Sequence, residues 1–126
     1  MKNGIIWILI LITFVLGVAW LAKMPAKPGK LDTFASCIKD SGAIFYGAFW
    51  CQHCQNQKAM FGSSSRLLPY IECSTPDGKN QLPICKEAGV MGYPTWQFAN
   101  GTREGGISLE RLSELTSCPL PRTTDV

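Results

Sequence analysis

The chain holds a single histidine, His53, and no cysteine ahead of Cys37. It has no charged residue from Ile5 to Ala22, no internal repeat and no low-complexity tract. It also has no basic patch, so the electrostatic footprint of a nucleic-acid binder is missing. The formal charge of +3 does not contradict this. Four of the lysines (Lys2, Lys23, Lys27 and Lys30) flank the uncharged segment, and from Leu31 onward eight Lys/Arg face nine Asp/Glu. The folded part is therefore close to neutral.

What stands in the place of those charges is an aliphatic run. Ile5 to Ala22 is 18 residues long, within the roughly 17–25 that a membrane-spanning helix needs. Trp7 and Trp20 lie near its ends, as interfacial aromatics do. A cleavable signal peptide is the competing reading, but its apolar core is shorter, about 7–15 residues. The small residues Gly17-Val18-Ala19 that could serve as a cut site fall inside the run. An uncleaved anchor is the favoured reading. The flanking lysines pull in both directions and leave orientation open.

The cysteines decide orientation better. Cys37, Cys51, Cys54, Cys73, Cys85 and Cys118 all follow the apolar run. An even, dense set fits disulfides in an oxidising compartment, so Leu31 to Val126 is expected outside the cytoplasm, in the periplasm or at the cell surface. The organisation expected is an anchor or signal peptide over 1–22, a linker over 23–30, one domain over 31–118 and a flexible tail over 119–126.

Within the domain, Leu31, Phe34 and Ile38 set a helical spacing that Gly42 stops. Ala43 to Trp50 reads as a short strand buried on both faces. Cys51 to about Phe61 reads as a helix, with Gln55, Gln57 and Lys58 outward and Ala59, Met60 and Phe61 partly inward. Leu67 to Cys73 is a second strand, weakened by Pro69. A turn-rich loop covers Ser74 to Asn80, and Pro83 to Ala88 is a short helix ended by Gly89. Thr95–Ala99 and Thr102–Ile107 pair as a hairpin around Asn100-Gly101. Ser108 caps a last helix carrying Leu109, Leu112 and Leu115. The fold class is α/β, a mixed sheet flanked by helices behind an N-terminal transmembrane helix.

The chemistry concentrates in Trp50-Cys51-Gln52-His53-Cys54, where a strand runs into a two-cysteine motif at the start of a helix. There, backbone N–H groups and the helix dipole favour the Cys51 thiolate, the form that attacks a disulfide. Cys54, one turn on, is the resolving thiol. His53 in the same loop either supports the Cys51 thiolate or is a solvent-exposed bystander. A structural disulfide or half of a zinc site are the bland readings of the motif. Zinc is disfavoured because Cys73 and Cys85 lack tight spacing. These two either close the Ser74–Asn80 loop as a structural disulfide or relay electrons to Cys51–Cys54. Cys37 and Cys118 remain, either as a pair tying the domain's ends together or as two small buried residues. No metal and no cofactor is expected.

Phe49-Trp50-Cys51-Gln52-His53-Cys54 followed by Gly92-Tyr93-Pro94-Thr95 resembles a thioredoxin-fold domain. The stretch from Phe45 to Cys54, with Pro69-Tyr70-Ile71-Glu72-Cys73, Cys85 and Gly92-Tyr93-Pro94-Thr95-Trp96, is most similar to the thioredoxin-like domain fused to bacterial vitamin K epoxide reductase homologues. The resemblance covers roughly residues 43–117. It implies that Pro94 is cis and faces the dithiol, and that the backbone at Tyr93 pairs with an extended substrate. Trp50, Tyr93 and Thr95 would then form the substrate surface. Trp50 and Phe49 make either an apolar rim or core, with core the better reading for Phe49.

Two departures matter. Gln52 stands where DsbA-like oxidases carry proline. Phe45 stands where the family often places an acidic residue, so proton handling for Cys54 must use water, substrate or another group. The expected activity is that of a membrane-anchored thiol–disulfide oxidoreductase donating its Cys51–Cys54 disulfide to cysteine-containing secreted polypeptides. Its expected oxidant is a separate, quinone-linked membrane protein resembling vitamin K epoxide reductase. A reductase or isomerase of extracytoplasmic disulfides and a non-catalytic binding module are the alternatives.

Overall fold

A computed structural model describes residues 2–24 and 27–122. Residues 25 and 26 of the expected linker and 123–126 of the expected tail lie outside the described residues. Helix α1 covers Lys2–Ala22. Its best span, Asn3–Ala22, has a mean hydropathy of 2.8 and none of it is buried. A helix with aliphatic side chains on every side has no polar face for water, so its burial must come from outside the helix itself.

Helix α2, Asp32–Asp40, follows, and Gly42 closes it at φ +80°, a left-handed conformation that favours glycine. Strand β1 is Ile44–Gly47, helix α3 Gln52–Ala59 and strand β2 Tyr70–Glu72, with a 3-10 turn over Gly62–Leu67 between the last two. Helix α4 is Pro83–Glu87, strand β3 Thr95–Gln97, strand β4 Arg103–Glu104 and helix α5 Leu109–Thr116. Ser108 caps α5 by accepting from the Arg111 N–H, satisfying one of the helix's orphan donors.

The four strands form one sheet in the order β2-β1-β3-β4. β1 pairs parallel with β2 and antiparallel with β3, and β3 pairs antiparallel with β4 across the Asn100-Gly101 turn. Side chains alternate across a strand, and β1 shows the consequence. Phe45 enters a core with Phe34, Ile38, Trp96, Leu112 and Cys54. Its neighbour Tyr46 enters a second one with Cys73, Cys85 and Val90. Phe45 stacks on Trp96 at 4.6 Å and meets the Tyr70 ring edge-on at 5.3 Å.

Three expectations need correcting. The strand expected to run to Trp50 ends at Gly47, and Phe49 is exposed instead of core. The reason is the turn that follows β1, in which the Cys51 N–H bonds back to the Ala48 carbonyl and lifts Phe49 and Trp50 out of the sheet. Gln57, expected outward, is buried. Its side-chain amide donates to the Ile107 carbonyl at 3.0 Å and accepts from the Ile107 N–H at 2.9 Å, standing in for a strand partner 50 residues away. Finally, Ala59 and Met60 face solvent and only Phe61 turns into the core, because α3 stops at Ala59 and a 3-10 turn takes over.

Candidate active site

The site begins with what ends β1. Gly47 has no side chain, and a Cβ placed there would lie 2.7 Å from Cε2 of Tyr70 and 3.1 Å from Sγ of Cys54. That open volume lets the first turn of α3 settle over the end of the strand. Cys51 is the N-cap residue of α3, with extended backbone angles, and its sulfur accepts a hydrogen bond from the Cys54 N–H at 3.3 Å. The cap sulfur therefore sits on the orphan N–H groups of the helix, where negative charge is stabilised.

The two sulfurs are unequal. Cys54 is 1% exposed and Cys51 7%. Both are free thiols, whereas the structure joins Cys73 to Cys85 and Cys37 to Cys118. Burial, then the hydrogen bond with Cys51, pushes the Cys54 thiol up to about 12. Cys51 has a second contact opposite the helix, its Sγ lying 3.6 Å from the Tyr93 carbonyl. The Tyr93–Pro94 peptide is cis. Pro94 is buried, and the Thr95 hydroxyl donates to the Gly92 carbonyl at 2.8 Å.

The surface around Cys51 is aromatic. Trp50 is half-exposed, its Nε1 donates to the Ser74 hydroxyl at 2.8 Å, and its ring meets Tyr93 edge-on at 6.0 Å. Tyr93 is itself tied down, its hydroxyl accepting from Gln81 Nε2 at 2.8 Å. Ser74 and Gln81 bridge the base of the loop that the Cys73–Cys85 disulfide flanks. That loop thus props both Trp50 and Tyr93 beside the dithiol. His53 is exposed, and its imidazole is not among the hydrogen-bond partners of Cys51, which are the Cys54 N–H and the Tyr93 carbonyl.

Beneath the dithiol lies a group that the reading of the sequence did not single out. The Tyr70 hydroxyl donates to Glu72 Oε2 at 2.7 Å. The other carboxylate oxygen accepts from the Phe49 and Ser74 N–H groups at 3.2 and 2.9 Å. Lys58 Nζ lies 3.2 Å over the centre of the Tyr70 ring, a close cation–π contact. Burial first, and then the Glu72 hydrogen bond, raise the Tyr70 phenol above its ordinary value. The signal for this group was present: Tyr70 and Glu72 are two apart on one strand and share a face, directly before Cys73. No cluster with metal-ligating geometry occurs among the described residues.

No protein-family model matches the chain. It is 38% identical over 96 residues to thiol-disulfide oxidoreductase LTO1 of Arabidopsis thaliana, a stretch covering 72% of this chain and 25% of that protein. It is 29% identical over 109 residues to protein disulfide-isomerase erp38 of Neurospora crassa, covering 73% and 30%. The probable protein disulfide-isomerase ER-60 of Schistosoma mansoni is 33% identical over 86 residues, covering 59% and 17%. The chain spans less than a third of the length of each of these relatives. With a four-stranded mixed sheet flanked by helices, one apolar N-terminal helix and relatives that are thiol–disulfide oxidoreductases and isomerases, this chain carries a thioredoxin-like α/β domain.

Proposed function

We propose that this protein is a thiol–disulfide oxidoreductase, anchored in a membrane by α1 and acting outside the cytoplasm, that donates its Cys51–Cys54 disulfide to cysteine-containing secreted polypeptides. The observation that carries the reading is the asymmetry of the dithiol: Cys51 caps α3 against the Tyr93 carbonyl, and Cys54 is sealed behind it. A substrate thiolate attacks Cys51 Sγ in the disulfide form. The new bond joins substrate to Cys51, the Cys51–Cys54 bond breaks, and its electron pair leaves on Cys54. A second substrate thiolate then attacks the substrate sulfur and displaces Cys51, whose thiolate rests on the helix N-terminus. The half-exposed Trp50 and the Tyr93–Thr95 segment border this path and supply the substrate surface.

Re-oxidation by a quinone-linked membrane protein resembling vitamin K epoxide reductase fits an anchored domain, since both would share one membrane. Conversion of the full chain to Cys54→Ser is the direct test. Mixed disulfides should accumulate through Cys51 on secreted polypeptides. Their absence, with Cys51→Ser equally silent through Cys54, would leave only a non-catalytic binding module. A second reading, isomerase or reductase, is favoured by the disulfide isomerases among the relatives. The reduction potential separates the two: about −120 mV marks a DsbA-type oxidant, about −180 mV an isomerase and about −270 mV a thioredoxin-type reductant.

A further inference from the structure

Cys54 presents a problem that the rest of the site does not solve. It must lose its proton to attack the mixed disulfide at Cys51, yet its thiol is buried and held up to about 12. At neutral pH a thiol so placed is almost wholly protonated, and the thiol form is a poor nucleophile. The core position beneath the dithiol carries Phe45, which has no base to offer. An acceptor supplied by the protein must come from another element.

The groups facing Cys54 are few. They are the Cys51 sulfur at the cap of α3, Lys58 from α3, the Ala48 backbone, and from β2 Tyr70, whose hydroxyl is in turn tied to Glu72. The point where Gly47 would carry a Cβ lies 3.1 Å from Cys54 Sγ and 3.4 Å from the Tyr70 hydroxyl, so sulfur and hydroxyl flank the same small space. The hydroxyl already donates its proton to Glu72, which leaves its oxygen lone pairs free to accept. The carboxylate is held by two backbone N–H groups and is half-exposed, so it has a route to water.

We propose that Tyr70 and Glu72 form the proton relay of Cys54, replacing the acid that Phe45 displaces. The proposal rests on Cys51–Cys54 being the exchanging dithiol. In the resolving step the Cys54 S–H proton passes through one water to the Tyr70 oxygen, as the Tyr70 O–H proton passes to Glu72. The Cys54 electron pair forms the Cys51–Cys54 bond, and the bond from Cys51 to its partner sulfur breaks with its pair leaving on the partner thiolate. Glu72 then returns its proton to solvent. Tyr70 never carries a full negative charge, consistent with a phenol that burial keeps protonated. Lys58 over the ring favours the transient electron density on the phenol oxygen. The absent side chain of Gly47 keeps the space that both groups border open.

The test uses the full-length reduced chain in detergent and Ellman's reagent, followed by thionitrobenzoate absorbance. A first phase, proportional to reagent, loads Cys51. A second phase, independent of reagent, reports Cys54 attack on the Cys51 adduct. Tyr70→Phe and Glu72→Gln are expected to slow the second phase on the order of 100-fold at pH 6–7 and to leave the first unchanged. The gap should close as pH approaches the Cys54 value, where the thiol ionises unaided. Glu72→Gln preserves shape and hydrogen-bonding length, so it serves where Tyr70→Phe perturbs packing. An unchanged second phase in Glu72→Gln, or a defect equal at every pH, would overturn the relay. A wild-type chain with no second phase would instead refute the exchanging dithiol itself.

Discussion

The pairs Cys51–Cys54 and Cys73–Cys85 are both buried, in the two separate cores that Phe45 and Tyr46 enter, yet they differ in what surrounds them. Cys73 and Cys85 are each 0% exposed and join β2 to α4 within the Tyr46–Val90 core. Neither sulfur sits at a helix N-cap, and neither faces an exposed aromatic surface. Cys51 does both, while its partner Cys54 is as buried as the bonded cysteines. Burial alone therefore does not separate a working dithiol from a structural one. The separating features are one sulfur at a strand-to-helix junction and a neighbouring group able to take the other's proton.

The largest expected contrast is in exchange activity. Cys51→Ser should reduce insulin-type disulfide exchange to the uncatalysed level, whereas the double change Cys73→Ser with Cys85→Ser should alter it only a few-fold, by loosening the loop that supports Trp50 and Tyr93. Loss of activity in the second variant equal to the first would make Cys73–Cys85 an electron relay.

The contrast reverses for stability. Removing Cys37–Cys118, which spans 81 residues, should cost about 4–5 kcal/mol by the chain-entropy relation, and removing Cys73–Cys85, which spans 12, about 3 kcal/mol. Denaturant unfolding of the two double variants checks the order. Reducing Cys51–Cys54 should cost far less than either. The next effect down concerns Gln57, whose two hydrogen bonds hold the Ile107 backbone beside α3. Gln57→Ala should destabilise by about 1–3 kcal/mol, because it leaves the Ile107 groups unpaired.

A further contrast concerns pH. Since the folded Cys54 value lies at about 12 and the ordinary thiol value at 9.0, the unfolded chain ionises first. Stability of the reduced form is whole below about 9 and declines as pH rises through about 12. Alkylation should favour the more accessible Cys51 sulfur, with Cys54 reacting readily only in strong alkali. Equal alkylation of the two at pH 7 would remove the asymmetry on which the comparison rests.

Much of this was written locally. The Asn100-Gly101 turn, the Ser108 cap and the Gly42 stop are short-range chemistry, and each occurs where its residues stand. The dithiol was legible for the same reason, since spacing and helix position are both local properties. Gln57 was not, because its burial depends on a backbone 50 residues away. The early end of β1 was hidden too. An apolar run from Ala43 to Trp50 does not reveal that Gly47 makes room for a sulfur and a ring from two other elements. Tyr70 and Glu72 gain their place only once β2 is laid parallel to β1 with Glu72 opposite Gly47.

The most direct measurement is disulfide mapping by mass across a glutathione redox series on the full-length chain, with free thiols trapped by alkylation at each step. The account predicts that Cys51 and Cys54 open and close together across the series while Cys37–Cys118 and Cys73–Cys85 stay bonded throughout. Opening of Cys73–Cys85 together with Cys51–Cys54, or before it, would contradict the assignment of Cys51–Cys54 as the exchanging pair.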